Sequence, residues 1–81
     1  MGIEYKIKFS VPADFDSSAL FKKLPSPIDR PRMTEIYNFK IEQDGFYFVG
    51  HLVNDQVASV AFKQFVNEAL RHGGSVQIVE P

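Results

Sequence analysis

With 81 residues, 44% of them hydrophobic and 14% aromatic, the chain has material for one small domain, residues 1–81, and none for a second. Nine basic against ten acidic side chains leave a net charge of -1, which excludes a global polycation; nucleic-acid affinity would need a local patch. The absence of cysteine excludes disulfides, thiolate nucleophiles and cysteine-ligated zinc, and in so short a chain points to a reducing cytoplasm. The opening MGIEYKIKFSV carries charges at alternate positions with no apolar core of a signal peptide, and no run reaches membrane-spanning length. The expectation is a cytoplasmic protein without a membrane segment.

Residues 3–11 alternate strictly, with Ile3, Tyr5, Ile7, Phe9 and Val11 on one face and Glu4, Lys6, Lys8 and Ser10 on the other. Period two over nine residues predicts a strand with one buried and one wet face, so the sheet is covered on one side only. After Pro12, Asp14 or Asp16 is placed to cap a short helix reaching about Leu24, with Phe15, Ala19, Leu20 and Leu24 inward and Lys22 and Lys23 opposing its dipole. The segment PSPIDRPR that follows reads as a proline-stiffened connection. Its Arg30 and Arg32 have the chemistry to grip an anion, although a solvated pair beside Asp29 is the favoured reading.

Residues 36–53 read as a hairpin turning at Asp44-Gly45, the dipeptide best suited to a type I′ turn. That turn sets Gln43 opposite Phe46, Lys40 opposite Val49 and Tyr37 opposite Leu52. Tyr37, Phe39, Ile41, Phe46, Phe48 and Leu52 then share the core face, and Asn38, Lys40, Glu42, Tyr47, Val49 and His51 share the other. Asn54 or Asp55 caps a second helix over residues 56–72, whose apolar stripe is Ala58, Ala61, Phe62, Phe65, Val66 and Ala69, with Val60 left outside. Gly73-Gly74 closes it, and residues 75–80 form a last strand with Val76 and Ile78 on one face.

This order predicts an α+β, ferredoxin-like βαββαβ sandwich: a four-stranded antiparallel sheet, strand order 4-1-3-2, with two helices on one face. The open face would gather Lys6, Lys8, Asn38, Lys40, Tyr47 and His51, a set suited to an anion or to a nucleic-acid backbone with one stacked base, although a solvated face whose Lys and Glu pairs, Glu4 and Glu42 among them, keep the domain soluble is the favoured reading. The string DGFYFVGH, residues 44–51, resembles the third-strand signature of RNA-recognition motifs, with Asp44, Tyr47 and His51 departing from it. That family exposes the rings at the positions of Phe46 and Phe48, whereas the hairpin register buries both here. The resemblance therefore implies a shared topology and carries no binding residues across.

Enzymatic patterns are thin. His51 and His72 have no metal-ligand spacing, the serines lack a glycine elbow, and Gly73-Gly74 follows a helix where a phosphate loop would precede one. Glu35 falls in the inward phase of its strand but near its start, within reach of water. No catalytic residue, metal or cofactor is assigned. The expected function is a non-catalytic interaction module that meets a protein partner or a second copy through its open face or an edge strand, residues 34–43 being a long, unprotected edge. Weak binding of single-stranded nucleic acid or an anion on the open face is the alternative.

Overall fold

The alternation of the first segment emerges as β1, Ile3–Lys8, in a computed structural model that describes residues 2–29 and 31–81. A six-residue helix α1, Ser18–Lys23, follows, then two short strands, β2, Ile28–Asp29, and β3, Thr34–Glu35. The hairpin is β4, Tyr37–Glu42, with β5, Gly45–Gly50. The long helix α2, Asp55–Gly73, and the short strand β6, Gln77–Val79, complete the chain. The main sheet is antiparallel in the order β4-β5-β1-β6, and β2 pairs with β3 in a separate ribbon.

The α+β class and the four-stranded antiparallel sheet are observed, but the ferredoxin-like βαββαβ sandwich with order 4-1-3-2 is corrected. Among the described residues six strands form in place of four, the main sheet counted over them runs β4-β5-β1-β6, and only α2 is a long helix. The reason lies in residues 25–36. Ser26 closes a local turn, its Oγ donating to the Ile28 carbonyl and accepting from the Ile28 N–H at 3.1 and 3.3 Å. Ile28 then pairs with Glu35 and Asp29 with Thr34. The expected edge strand over 34–43 is thereby divided at Ile36, whose N–H is taken by the Pro27 carbonyl at 2.6 Å and whose carbonyl accepts from His51 N–H at 3.0 Å. Upstream, Asp16 Oδ1 accepts from the Ser18 N–H at 2.9 Å, but α1 ends within two turns as the chain nears Pro25. The position of Arg30 lies outside the described residues, and Arg32 meets Asp29 at 3.8 Å.

The hairpin register is also corrected. Glu42 pairs with Gly45, Lys40 with Tyr47, and Tyr37 with Gly50, so the turn is Gln43-Asp44 and β5 lies two residues along from the expected pairing. The cause is tertiary. Phe9 and Val11 N–H groups bond to the Asp44 and Gln43 carbonyls at 3.1 and 3.3 Å, and Gly45, at φ +145°, is drawn into the sheet against the Ile7 carbonyl. A slide of two residues leaves the side chains of β4 and β5 on their expected faces, because the pleat repeats every two, while Leu52 falls beyond the strand.

The core holds most of the expected set, but Ala19, Ile41 and Leu52, expected inward, are exposed. Ile7, Phe46, Phe48 and Tyr37 come from the sheet, Ala61, Phe65 and Ala69 from α2, and Leu20 from α1. Phe65 is its hub, with ring centroids 4.9, 5.4 and 5.7 Å from Phe39, Phe46 and Phe48. Burying each such ring is worth about 1.5–3 kcal/mol, which lets a short chain offset its ordering entropy. Asn54 caps α2 by accepting from the Val57 N–H at 3.2 Å. Among the described residues no helix is long and apolar enough to cross a membrane.

Candidate functional site

On the face away from the helices, β5 brings Tyr47 between Lys40 of β4 and Lys6 of β1, while Val49 lies between Asn38 and Glu4. Gly45 separates Glu42 from Lys8, which in turn faces Gln77 of β6. The sheet thus places Lys6, Lys8, Asn38, Lys40 and Tyr47 on one surface, as the alternation required.

Acidic neighbours occupy most of that chemistry. Lys6 Nζ donates to Glu42, and to Asp44 Oδ1 at 2.7 Å, and its side chain keeps only 13% of its exposure. The hydrogen bond to Asp44, followed by that to Glu42, raises the Lys6 ammonium above its ordinary pKa, while the same contact with Lys6 lowers the Asp44 carboxyl. Tyr47 donates its hydroxyl to Glu4, and this bond raises the phenol. Lys8 and Lys40 enter no ion pair among the described residues. The open face is accordingly a mosaic of paired charges with two unpaired lysines, a weaker anion trap than three free ones.

His51 lies just beyond the end of β5, at the junction of the two sheets. Its Nε2 comes within 2.8 Å of Glu35 Oε1 without the alignment of a hydrogen bond, and Asn38 Nδ2 donates to the same oxygen at 2.6 Å. Glu35 is exposed, as expected near a strand start, and its carboxylate draws Asn38 and His51 together. The other histidine, His72, sits at the end of α2 on a buried Glu68, 3.0 Å away, under Phe9 and Phe15. Among the described residues no group of three or more histidines and carboxylates is arranged to hold a metal ion.

The sheet edges are less satisfied than its face. β4 is the terminal strand on one side. On the other, β6 pairs with residues 6–8 of β1 alone, so residues 3–5 have no strand neighbour there among the described residues. Beside that gap, between β1 and the first turns of α2, runs a groove of about 410 Å³ lined by Ile3, Tyr5, Phe48, Leu52 and Phe62, with Asp55 at its rim. Ile3 and Leu52 are 39% and 57% exposed, and Leu52 is held at φ 61°, a backbone conformation few leucines adopt.

No protein-family model, curated protein or solved structure matches this chain.

Of the carboxylates that complete the open face, sequence reasoning named Glu4 and Glu42 and missed Asp44 as a partner of Lys6. Glu4 and Glu42 were visible as cross-strand neighbours, but Asp44 was assigned to the turn alone. The β1 gap had no local signal, since residues 75–80 alternate as if the last strand ran on.

Proposed function

We propose that this protein is a small, non-catalytic binding module of the cytoplasm that captures an extended polypeptide segment at an edge of its sheet. One observation carries this reading: among the described residues the outer side of β4, and that of β1 beside residues 3–5, has no strand neighbour, whereas the charges of the open face are largely satisfied within the domain. Unpaired strand edges recruit other chains because main-chain hydrogen bonds supply affinity and alternate side chains supply specificity. The lack of cysteine favours the cytoplasmic setting.

The alternative is single-stranded nucleic-acid or anion binding on Lys6, Lys8, Asn38, Lys40, Tyr47 and His51. It is the weaker reading, because Lys6 is engaged by Glu42 and Asp44, Tyr47 by Glu4, and His51 lies off the sheet beside Glu35. Amide-resolved NMR titration separates the two. A pool of short peptides with alternating apolar and polar residues is expected to shift residues of β1 or β4. Shifts confined to Lys8, Lys40 and Tyr47 on adding a mixed single-stranded oligonucleotide at low salt, with none from the peptides, would reverse the choice.

A further inference from the structure

We infer that the outer edge of β4 pairs with the same edge of a second copy, antiparallel about a two-fold axis at Ile41, so that two domains share one continuous sheet. The inference rests on the edge-capture reading and gives it an edge, an occupant and a register.

The ladder inside the domain shows which groups of β4 are free to pair. His51 N–H bonds to the Ile36 carbonyl at 3.0 Å, continuing the register in which Asn38 faces Val49, Lys40 faces Tyr47 and Glu42 faces Gly45. Asn38, Lys40 and Glu42 therefore turn their backbone groups toward β5, and Phe39 and Ile41 turn theirs away from it. Among the described residues no turn or loop bonds to the backbone of either. The start of β4 is different. Pro25 and Pro27 lie beside it, their carbonyls accepting from the Tyr37 hydroxyl and the Ile36 N–H, so the open part of the edge is residues 39–42.

Charge chooses the occupant and the register. Pairing about Ile41 makes the two Ile41 residues a hydrogen-bonded pair and sets Lys40 opposite Glu42 of the second copy on both sides of the axis. These are the non-hydrogen-bonded positions, where side chains approach most closely. Lys40 enters no ion pair within the domain, and Lys6 takes one oxygen of the Glu42 carboxylate. Centring the axis on Lys40 would set the two Lys40 ammonium groups against each other, and centring it on Phe39 would leave Lys40 opposite Asn38 with no counter-charge. A purely basic or purely acidic strand complements only one of Lys40 and Glu42. The apolar margin agrees with the charges. Ile41 is 37% exposed beside a groove of about 410 Å³ lined by Val11, Pro12, Ala13 and Phe15, and Phe21, 45% exposed, stands 5.5 Å from Phe39. A second Ile41 against the first removes part of this surface from water.

The test is sedimentation velocity with amide hydrogen exchange on the intact chain and its charge variants. The natural chain is expected to dimerise as it is concentrated, with exchange slowing at the Phe39 and Ile41 amides. Lys40→Glu sets Glu against Glu42 and Glu42→Lys sets Lys against Lys40, so each is expected to weaken association about tenfold or more at low salt. An equimolar mixture of the two variants restores both opposite-charge pairs and is expected to associate as the natural chain does, which a folding defect in either variant would not produce. A natural chain that stays monomeric overturns the inference; slowed exchange at residues 37–42 on adding the peptide pool would then leave edge capture standing, and its absence on both edges would remove that reading too. A dimer whose protection lies outside residues 39–42, or a mixture no more associated than its components, also overturns the inference.

Discussion

Gly45 is the position where the hairpin tolerates least. It sits in β5 at φ +145°, and a Cβ built there would lie 2.0 Å from the Ile7 carbonyl oxygen, 2.9 Å from its carbon and 3.1 Å from Lys8 Cα. All three are backbone atoms of β1, so no rotamer change relieves the clash. Ordinary contact begins near 3.4 Å, and the two central strands would have to part by more than an ångström. Strained φ for an L-residue costs about 1–3 kcal/mol and forced displacement in a packed interior about 1–3 kcal/mol more. Gly45→Ala is therefore expected to lose about 2–6 kcal/mol, a large part of the about 4–12 kcal/mol typical of a domain this size. Gly50→Ala is the control. Its Cβ would meet only side-chain carbons of Phe48 and Ala58, at 3.8 and 3.9 Å, so the change should be neutral or stabilising by up to about 1 kcal/mol. Urea unfolding of both variants measures the difference. Similar midpoints for the two would refute the claim that the β1–β5 approach at Gly45 sets the hairpin register.

The Lys6 cluster makes a pH prediction. Asp44, with its folded pKa lowered from 3.8, contributes stability above that value that is lost as pH falls through the folded pKa; Lys6, raised from 10.5, contributes below 10.5 and loses it as pH rises through its folded pKa. The stability difference between the natural chain and Lys6→Met should thus be level from about pH 5 to 9 and shrink on both sides, read from urea midpoints; a difference that does not change with pH would contradict the pairing. Asn54→Ala removes the acceptor for the Val57 N–H and should cost about 1 kcal/mol in the same assay, an unchanged midpoint arguing that the cap contributes nothing.

What was legible in the chain was periodic. The alternation of residues 3–11 predicted both the buried side of β1 and its wet side, and the stripe from Ala58 to Ala69 predicted the inner face of α2, whose cap is Asn54 of the two candidates Asn54 and Asp55. Non-local features escaped. The Asp44-Gly45 dipeptide signals a turn, but its position was decided by Phe9 and Val11, whose N–H groups claim the turn's carbonyls. Two-residue strands such as β2 and β3 have no period to read, which hid the second ribbon and the break at Ile36. The candidate site was half legible. Parity put Lys6, Lys8, Lys40 and Tyr47 on one surface, while the engagement of Lys6 depended on Glu42 and Asp44, 36 and 38 residues away.

Amide-resolved hydrogen exchange of the intact chain, with and without a saturating pool of alternating apolar–polar peptides, tests edge capture most directly. Exchange should slow at the outward amides of residues 3–5 or 37–42, with the open-face side chains of Lys8, Lys40 and Tyr47 unshifted. Unchanged exchange along both edges in a folded protein would contradict the account.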